Sequence, residues 1–453
     1  MLEKIDVNIK HITQNSKRVR PGSLFISMND LHLSEAIENG ASAIISNKNL
    51  KLDIPTYRVN PKVAYAEVLK EFYHHNLFLV GITGTDGKTT TSSIIKHLLG
   101  NECGIIGTNG IKYKDKKLES KLTTPILEDI YKYLNIFQKE KIETAVLEAS
   151  SEGIIDNRIN GLNFDICIFT NLSHEHLNTH KNMSNYLQSK LKLFKEMKRD
   201  GIAVINIDDD YFKELNESID NPIITYGTNK DADFQIVDIR HNDNLTSFTL
   251  KNKNNTYEIT TNLLGKYNIY NITAALIAAG KQKDINTLIP KLNNIPEIEG
   301  RFVHVKNDKE INVVVDFAHT PNAIKNLLET INIRKKGNSI LVIGAAGEKD
   351  KTKRKTMGKI ATENSDFVVF TSEDPKFEDE SKIIEDLLKE VTSENYIKIY
   401  DRKEAIRAAI HIARMNDTVI ITGKGNEQYM KKNNKLTKHN DIEIAREFIN
   451  KKE

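Results

Sequence analysis

The stretch Phe78-Leu79-Val80-Gly81-Ile82-Thr83-Gly84-Thr85-Asp86-Gly87-Lys88-Thr89-Thr90-Thr91 limits what this chain can fold into more than any other. A short apolar run gives way to a glycine-containing turn, then Lys-Thr, then helical spacing through Ile94, Ile95 and Leu98. That order is strand, loop and helix N-terminus, the setting a phosphate-binding loop needs. Glycines let backbone N–H groups approach phosphate oxygens, and the N-terminal end of a helix favours negative charge. Lys88 is placed to reach a β- or γ-phosphate, and the Thr89 hydroxyl to ligate Mg²⁺. The spacing is Gly84-x-x-Gly87-Lys88-Thr89, without the first glycine of the general pattern. A plain glycine-rich strand-to-helix turn is the competing reading.

At 453 residues the chain is too long for one ordinary core. Alternating apolar runs and helical stretches argue for parallel sheets with helices on their faces. The reading is α/β with three domains: a small N-terminal α/β module over 1–75, a central parallel-sheet domain with the phosphate loop over 76–298, and a C-terminal Rossmann-like domain over 299–453. The first part has β-like runs at Ser23 to Met28 and Ala43 to Ser46, around a small helix ending near Gly40. In the second, strands are expected at Thr144 to Leu147, Ile166 to Thr170 and Ile202 to Ile205. An antiparallel addition follows from Phe234 to Thr261, then a helix after Tyr267. The third part offers strands at Val313 to Val315, Ile340 to Ile343, Phe367 to Phe370, Ile397 to Tyr400 and Thr418 to Ile421. Polar or glycine residues follow all five, including Asp316-Phe317-Ala318-His319, Glu373-Asp374-Pro375-Lys376, Asp401-Arg402 and Gly423-Lys424-Gly425. Open α/β sheets bind ligands at the carboxyl ends of their strands, so a second ligand surface is expected there.

Composition narrows the class. The balance of 65 basic against 62 acidic residues gives no electrostatic ground for nucleic-acid binding. Cys103 and Cys167 are the only cysteines and fit no CxxC or zinc pattern. The opening Met1-Leu2-Glu3-Lys4-Ile5-Asp6 lacks the pattern of a secretory leader, and no apolar run approaches membrane-spanning length. A cytoplasmic enzyme, monomeric and without membrane or nucleic-acid partners, is the expectation.

Two further groups suggest chemistry. Glu148 ends its strand and precedes Ala149-Ser150-Ser151, and His174, Glu175, His176 and His180 crowd the loop after Phe169-Thr170. Both are candidates for holding metal or phosphate, against the alternative of a solvated loop; the spacing does not fit HExxH. Tyr186, Lys190 and Phe194 share one helical face. A lysine facing inward among apolar neighbours is costly unless paired, neutral or modified. A surface lysine with its stem lying along apolar neighbours is the ordinary alternative.

Taken in order, these motifs resemble the Mur ligase family of ATP-dependent amide-forming ligases, most closely the UDP-N-acetylmuramoyl-tripeptide synthetases. The resemblance also draws on Thr123-Thr124-Pro125, Arg158 with Gly161-Leu162, Asn268-Ile269-Tyr270-Asn271, Gly300-Arg301, Asp350-Lys351, Lys353-Arg354 and Gly423 to Glu427. It implies that Gly84, Thr85, Asp86, Gly87, Lys88, Thr89 and Thr90 hold the triphosphate of ATP, with Lys88, His176 and Lys190 catalytic. Thr89, Glu148 and His176 would ligate Mg²⁺, and Lys190 would be carbamylated by CO₂ and support a second Mg²⁺. Asn268 and Asn271 would meet adenine, and Arg301 and Asp316 the phosphates and ribose. Thr123, Thr124, Ser150, Ser151 and Arg158 would contact a UDP-muramoyl-peptide. Arg354, Asp374, Lys376, Gly423 and Glu427 would surround the incoming amino acid.

The chain departs from the family pattern where it would choose substrates. Glu373-Asp374-Pro375-Lys376 stands in place of Asp-Asn-Pro-Arg, the form associated with meso-diaminopimelate, and Asn426 replaces a usual His. Asn15-Ser16-Lys17 replaces Asp-Ser-Arg in the first domain. The implied reaction is ATP-driven addition of an amino acid to a UDP-muramoyl-peptide in cell-wall synthesis. Other Mur-type carboxylate–amine ligases, folylpolyglutamate-like or of secondary metabolism, and a non-catalytic nucleotide-binding module are the alternatives.

Overall fold

The computed structural model describes residue 2, residues 5–242 and residues 244–450. Residues 1, 3 and 4 of the opening stretch judged above lie outside it. Contacts divide the chain into two compact units. One is Met1–Ile82, Leu99–Cys167 and Lys192–Ile202; the other is Thr83–Leu98, Ile168–Leu191 and Ala203–Glu453. Among the described residues no helix is long and apolar enough to cross a membrane.

The N-terminal part is a four-stranded parallel sheet in sequential order: β1 (His11–Thr13), β2 (Ser23–Ile26), β3 (Ala41–Ser46) and β4 (Thr56–Arg58). Phe25, Ala36 and Ile44 form its core. The following helix, Pro61–Phe72, opens with proline at its first turn, and the Asn60 side chain accepts from the Lys62 N–H. Both features suit a helix start, where N–H groups lack partners.

The large central sheet has eleven strands. They are β5 (Phe78–Thr83), β6 (Cys103–Gly107), β7 (Gly110–Tyr113), β8 (Lys116–Leu118), β9 (Thr144–Glu148), β10 (Phe164–Phe169), β11 (Met197–Asn206), β12 (Ile223–Gly227), β13 (Phe234–His241), β14 (Thr246–Lys251) and β15 (Thr256–Thr261). Their order is β15-β14-β13-β12-β11-β10-β5-β9-β6-β7-β8. β5, β9 and β6 pair in parallel, as do β11, β12 and β13. The expected antiparallel addition is present as β13-β14-β15. The hairpins β6-β7-β8 were not foreseen; the exposed Lys116–Leu118 has no alternation to announce it.

The C-terminal sheet is the one the apolar runs foretold. Its strands are β16 (Val303–His304), β17 (Asn312–Asp316), β18 (Ser339–Ile343), β19 (Phe367–Phe370), β20 (Tyr396–Lys398) and β21 (Thr418–Thr422), ordered β16-β17-β21-β18-β19-β20. All pairs are parallel except β16 with β17. Successive residues point to opposite faces, and here both faces are covered. Val313, Val315, Val342, Val369 and Ile421 pack with Ala405, Ile406 and Ile444 on one side. Leu341, Ile343, Phe370 and Ile420 pack with Ile324, Leu328, Met357 and Ile384 on the other. Burial on both faces is why these strands read as continuous apolar runs. The fifth strand is Tyr396–Lys398, offset from the expected Ile397 to Tyr400. A hairpin, β22 (Tyr429–Lys432) and β23 (Lys435–Lys438), lies beyond β21.

Candidate active site

The loop between β5 and the helix Lys88–Leu99 has the backbone of a phosphate cradle. Gly84 and Gly87 have φ of +145° and +87°, where a side chain is strained. A Cβ on Gly84 would lie 1.9 Å from Thr170 Oγ1, and one on Gly87 2.4 Å from Asn271 Oδ1. The loop after β10 braces this turn. Thr85 N donates to Asn171 O at 2.8 Å, Asp86 N to Asn171 Oδ1 at 3.1 Å, and Thr170 Oγ1 to Asp86 O at 2.6 Å. Lys88 Nζ donates to the carbonyls of Gly84 and Thr85, both at 2.9 Å. Thr89 and Thr90 are buried, and Arg301 Nη2 lies 3.4 Å from Thr89 Oγ1 with its guanidinium over the Phe317 ring.

Lys190 is the least ordinary group here. It stands on the helix Met183–Lys195 with only 1% of its surface exposed, beside buried Tyr186 and Phe194. Its Nζ donates to Gly84 O at 2.8 Å and sits 4.4 Å from the Tyr186 ring centroid. Burial, reinforced by the nearby Lys88 charge, holds its pKa well below the usual lysine range. The surface-lysine alternative is excluded by this burial. His176 adopts a left-handed backbone, φ +59°, at the cap of the short helix Leu177–His180. Burial, then Lys190 and Lys88, push its imidazole pKa down to about 2, so the ring is neutral at physiological pH.

Of the other members of the histidine-rich loop, His180 shares the Tyr186 ring with His176, whose own ring lies 5.9 Å from it, while His174 and Glu175 turn to other partners. His174 Nε2 is 2.7 Å from Thr352 Oγ1, Glu175 pairs with Lys353, and His180 stacks on Tyr186 at 4.7 Å. Among the described residues no three His, Cys, Asp or Glu side chains are gathered as a metal cage. A metal there would rely on hydroxyl, phosphate and water oxygens as well, which suits Mg²⁺ and its habit of keeping waters.

Asn268 and Asn271, both buried, face one another on the helix Lys266–Ala279: Asn271 Nδ2 donates to Asn268 Oδ1 at 3.2 Å. Asp316, at the end of β17, accepts from Phe302 N and Ala318 N, both at 2.7 Å, and burial raises its pKa. It thus shapes the turn that presents Arg301.

Another group of expected residues surrounds the end of β9. Glu148 is buried, with Thr108 Oγ1 donating to it at 2.8 Å. Thr124 Oγ1 donates to Glu148 O and lies 3.1 Å from Ser150 Oγ; Thr123 Oγ1 is 3.1 Å from Thr108 Oγ1. Arg158 donates to Thr124 O at 3.0 Å, and Ser150 caps the short helix opening at buried Ser151. All the residues expected at the peptide substrate are therefore neighbours.

The third expected group is only partly together. Asp374 Oδ1 accepts from Lys424 Nζ at 2.8 Å and from Lys431 N at 3.0 Å; Lys424 also meets Glu427 at 2.6 Å. Gly423, φ +108°, packs against Glu373, where a Cβ would lie 2.1 Å from Oε2. Lys376 is half-buried on a left-handed backbone, φ +53°, and its N–H donates to Lys431 O. Arg354 does not join them. Its fully buried guanidinium grips Glu378 with two bonds, 2.7 and 2.9 Å, and also meets Asp386 and Ala346 O. Glu378 and Asp386 thus occupy the Nη groups of the guanidinium expected to meet an amino acid, while its buried Nε has no hydrogen-bond partner among the described residues.

Sequence reasoning reached Glu373, Lys424, Arg402 and Lys353 only as members of strand-end segments and motifs, with no individual role for any of them. Glu373 is buried, its Oε2 has no hydrogen-bond partner, and burial lifts its pKa to about 7 despite Arg402 and Lys424. Arg402 is fully buried, bonded twice to Asp441 and once to Thr422 O. Its place after β20, in the Asp401-Arg402 pair, was the available signal.

Residues 82–279 match the Mur ligase middle domain, and residues 300–425 match the Mur ligase glutamate ligase domain. A UDP-N-acetylmuramoyl-L-alanyl-D-glutamate–2,6-diaminopimelate ligase of Bacillus cereus is 33% identical, over 99% of this chain and 96% of the relative. The chain belongs to the Mur ligase family. A solved Mur ligase structure, of another such diaminopimelate ligase, superposes with a TM-score of 0.69 at 29% identity, covering 98% of this chain and 96% of its own. A MurF ligase of Thermotoga maritima in complex with ADP shares the Mur ligase fold, with a TM-score of 0.66 at 20% identity, over 98% of both chains.

Proposed function

We propose that this Mur ligase uses ATP to join an amino acid to a UDP-N-acetylmuramoyl-peptide, in peptidoglycan precursor synthesis. Residues 1–75 would bind the UDP moiety, 76–298 ATP, and 299–453 the amino acid. The observation that carries the reading is Lys190, buried directly beneath the Gly84 carbonyl of the phosphate loop. A nucleotide-binding module has no use for a lysine buried at that point; a ligase that carbamylates it does, because burial lowers the amine's pKa and so favours the neutral form that adds to CO₂.

The chemistry needs two anions brought together: a peptide carboxylate attacks the γ-phosphate, breaking its bond to ADP, which leaves, and giving an acyl phosphate, from which the incoming amine then displaces phosphate. Mg²⁺, when bound, would neutralise charge on the phosphates. Gly84 to Thr90 supply the backbone cradle, and Lys88 turns from the Gly84 and Thr85 carbonyls to the transferred phosphate. Thr89, Glu148, neutral His176 and carbamylated Lys190 offer oxygen and nitrogen ligands. Asn268 and Asn271 present amides suited to an adenine edge, and Arg301 a fork suited to phosphate. Thr123, Thr124, Ser150, Ser151 and Arg158 orient the peptide.

At the amine side, Asp374, Lys376, Gly423 and Glu427 would take the amino acid, with Arg354 supporting the loop from below. Lys376 is a point charge where a guanidinium would grip a carboxylate with two bonds, and Asp374 retains one oxygen beyond its bonds to Lys424 and Lys431. A diamino acid, with a preference different from strict diaminopimelate use, is the class this fits. The test is phosphate release from ATP with UDP-muramoyl-dipeptide and a panel of amino acids. Release that depends on both co-substrates supports the reading; release indifferent to them, or driven by a folate-type acceptor instead, refutes it.

A further inference from the structure

The two residues flanking His176 are both tied to one short segment after β18. On one side Lys353 Nζ lies 2.6 Å from Glu175 Oε2, an ion pair close in distance though not aligned as a hydrogen bond, with 6% and 4% of the two side chains exposed. On the other, Leu177 N donates to Asp350 Oδ2 at 3.0 Å. His174 adds its 2.7 Å contact with Thr352, whose own N–H and hydroxyl are held by Asp350 Oδ1. Lys353 Nζ reaches a third loop as well, donating to His319 O at 2.7 Å, next to Thr320, whose hydroxyl donates to Asp86 Oδ2 at 3.0 Å. His176 therefore sits in a left-handed conformation fixed from both sides, which a non-glycine residue keeps only when its surroundings enforce it.

We propose that Asp350 and Lys353 are positioning residues. They clasp the His176 loop to the strand-end loops that lead to the amine pocket, so that acyl phosphate forms only where the amine is ready to take it. This rests on the ligase reading above. When clasped, acyl phosphate and amine give amide, phosphate and a proton. When the clasp is open, water takes the amine's place, and acyl phosphate and water give back the carboxylate with phosphate and a proton. Loss of the clasp therefore uncouples phosphate release from amide formation, an effect that lowered stability alone does not produce.

The experiment compares wild type with Asp350→Asn, Lys353→Met and the double variant Lys353→Met/Glu175→Leu. It measures phosphate and amide product together, with ATP, Mg²⁺, UDP-muramoyl-dipeptide and the amino acid that works best for wild type. Lys353→Met leaves Glu175 buried and unpaired; the double variant removes both charges and recovers stability. Amide formation should fall on the order of 100-fold in the folded variants, the scale of a small misplacement. KM for ATP should change less than about twofold, and amide per phosphate should drop well below one. Lys353→Arg should restore the ratio. Folded variants that make one amide per phosphate at the wild-type rate would overturn the proposal. Hydrogen exchange at the Leu177 amide tests the clasp apart from activity: Asp350→Asn should accelerate it at least roughly tenfold, a loss of about 1.4 kcal/mol of protection. An unchanged rate there refutes the clasp even if the chain has no ligase activity, whereas a wild type inert toward both co-substrates refutes only the ligase reading.

Discussion

Replacing Arg402 with methionine should be among the most destabilising single changes in the C-terminal sheet. The guanidinium is fully buried and bonds Asp441 at 2.9 and 2.6 Å and the Thr422 carbonyl at 2.7 Å. Methionine fills much of the stem but leaves a buried carboxylate with no guanidinium, the His439 imidazole lying 2.8 Å away. Breaking a buried ion pair from one side costs about 3–5 kcal/mol, so the corresponding unfolding transition should move down by roughly 10 °C. The pH dependence has a definite sign. Burial alone would raise the Asp441 pKa, but Arg402 and His439 outweigh it and hold it below the usual carboxylate range. Wild type therefore has the full contribution of Asp441 above the ordinary carboxylate pKa and loses it as pH falls through the lower folded value. In the variant the unpaired carboxylate takes a proton at higher pH, so the penalty should shrink as the solution is acidified from neutral. Urea unfolding followed by circular dichroism at several pH values reads both effects. Arg402→Met/Asp441→Leu should recover most of the loss at neutral pH. A single variant costing under about 1 kcal/mol, or a double variant no more stable than the single, would refute the assignment of Arg402 and Asp441 as a mutually dependent buried pair.

Glu373→Gln should behave in the opposite sense. Because burial raises the folded pKa to about 7 from 4.5, the folded state binds the proton more tightly and wild type loses stability as pH rises between those values. The glutamine variant escapes a charge penalty of up to about 3 kcal/mol, so its stability relative to wild type should be greater at pH 8.5 than at pH 4; a difference independent of pH would show that Glu373 is not held protonated. Lys190→Ala should abolish amide formation and regain part of it with added short carboxylic acids, read by product formation; full activity without them would remove the case for carbamylation. Lys376→Arg should alter the ratio of kcat/KM among amino acids more than it alters KM for ATP. If KM for ATP moves instead, the segment belongs to the nucleotide.

The phosphate loop and the apolar strands of the central and C-terminal sheets were legible in the residues alone, whereas the β6-β7-β8 hairpins were not. Strands buried on both faces must be apolar throughout, so Val313 to Val315, Ile340 to Ile343 and Thr418 to Ile421 are legible one residue at a time. The phosphate loop is likewise a local feature: its glycines, lysine and threonine act through the backbone of one turn. The hydroxyl cluster at the end of β9 was reached only through the family resemblance, since Thr124 and Ser150 meet across 26 residues of chain. Which charged side chains meet depends on how distant segments pack. Lys190 has the same helical spacing whether it faces solvent or Gly84; the fold sets its Nζ against the Gly84 carbonyl and the Tyr186 ring. Arg354 looks equally fit for a substrate carboxylate or for Glu378, and folding places Glu378 against it. Arg402 and Asp441 lie 39 residues apart, while Glu175 and Lys353 come from different sheets' strand-end loops. Apolar burial follows a short-range period along the chain, but an ion pair depends on where two distant segments meet, and no local pattern carries that information.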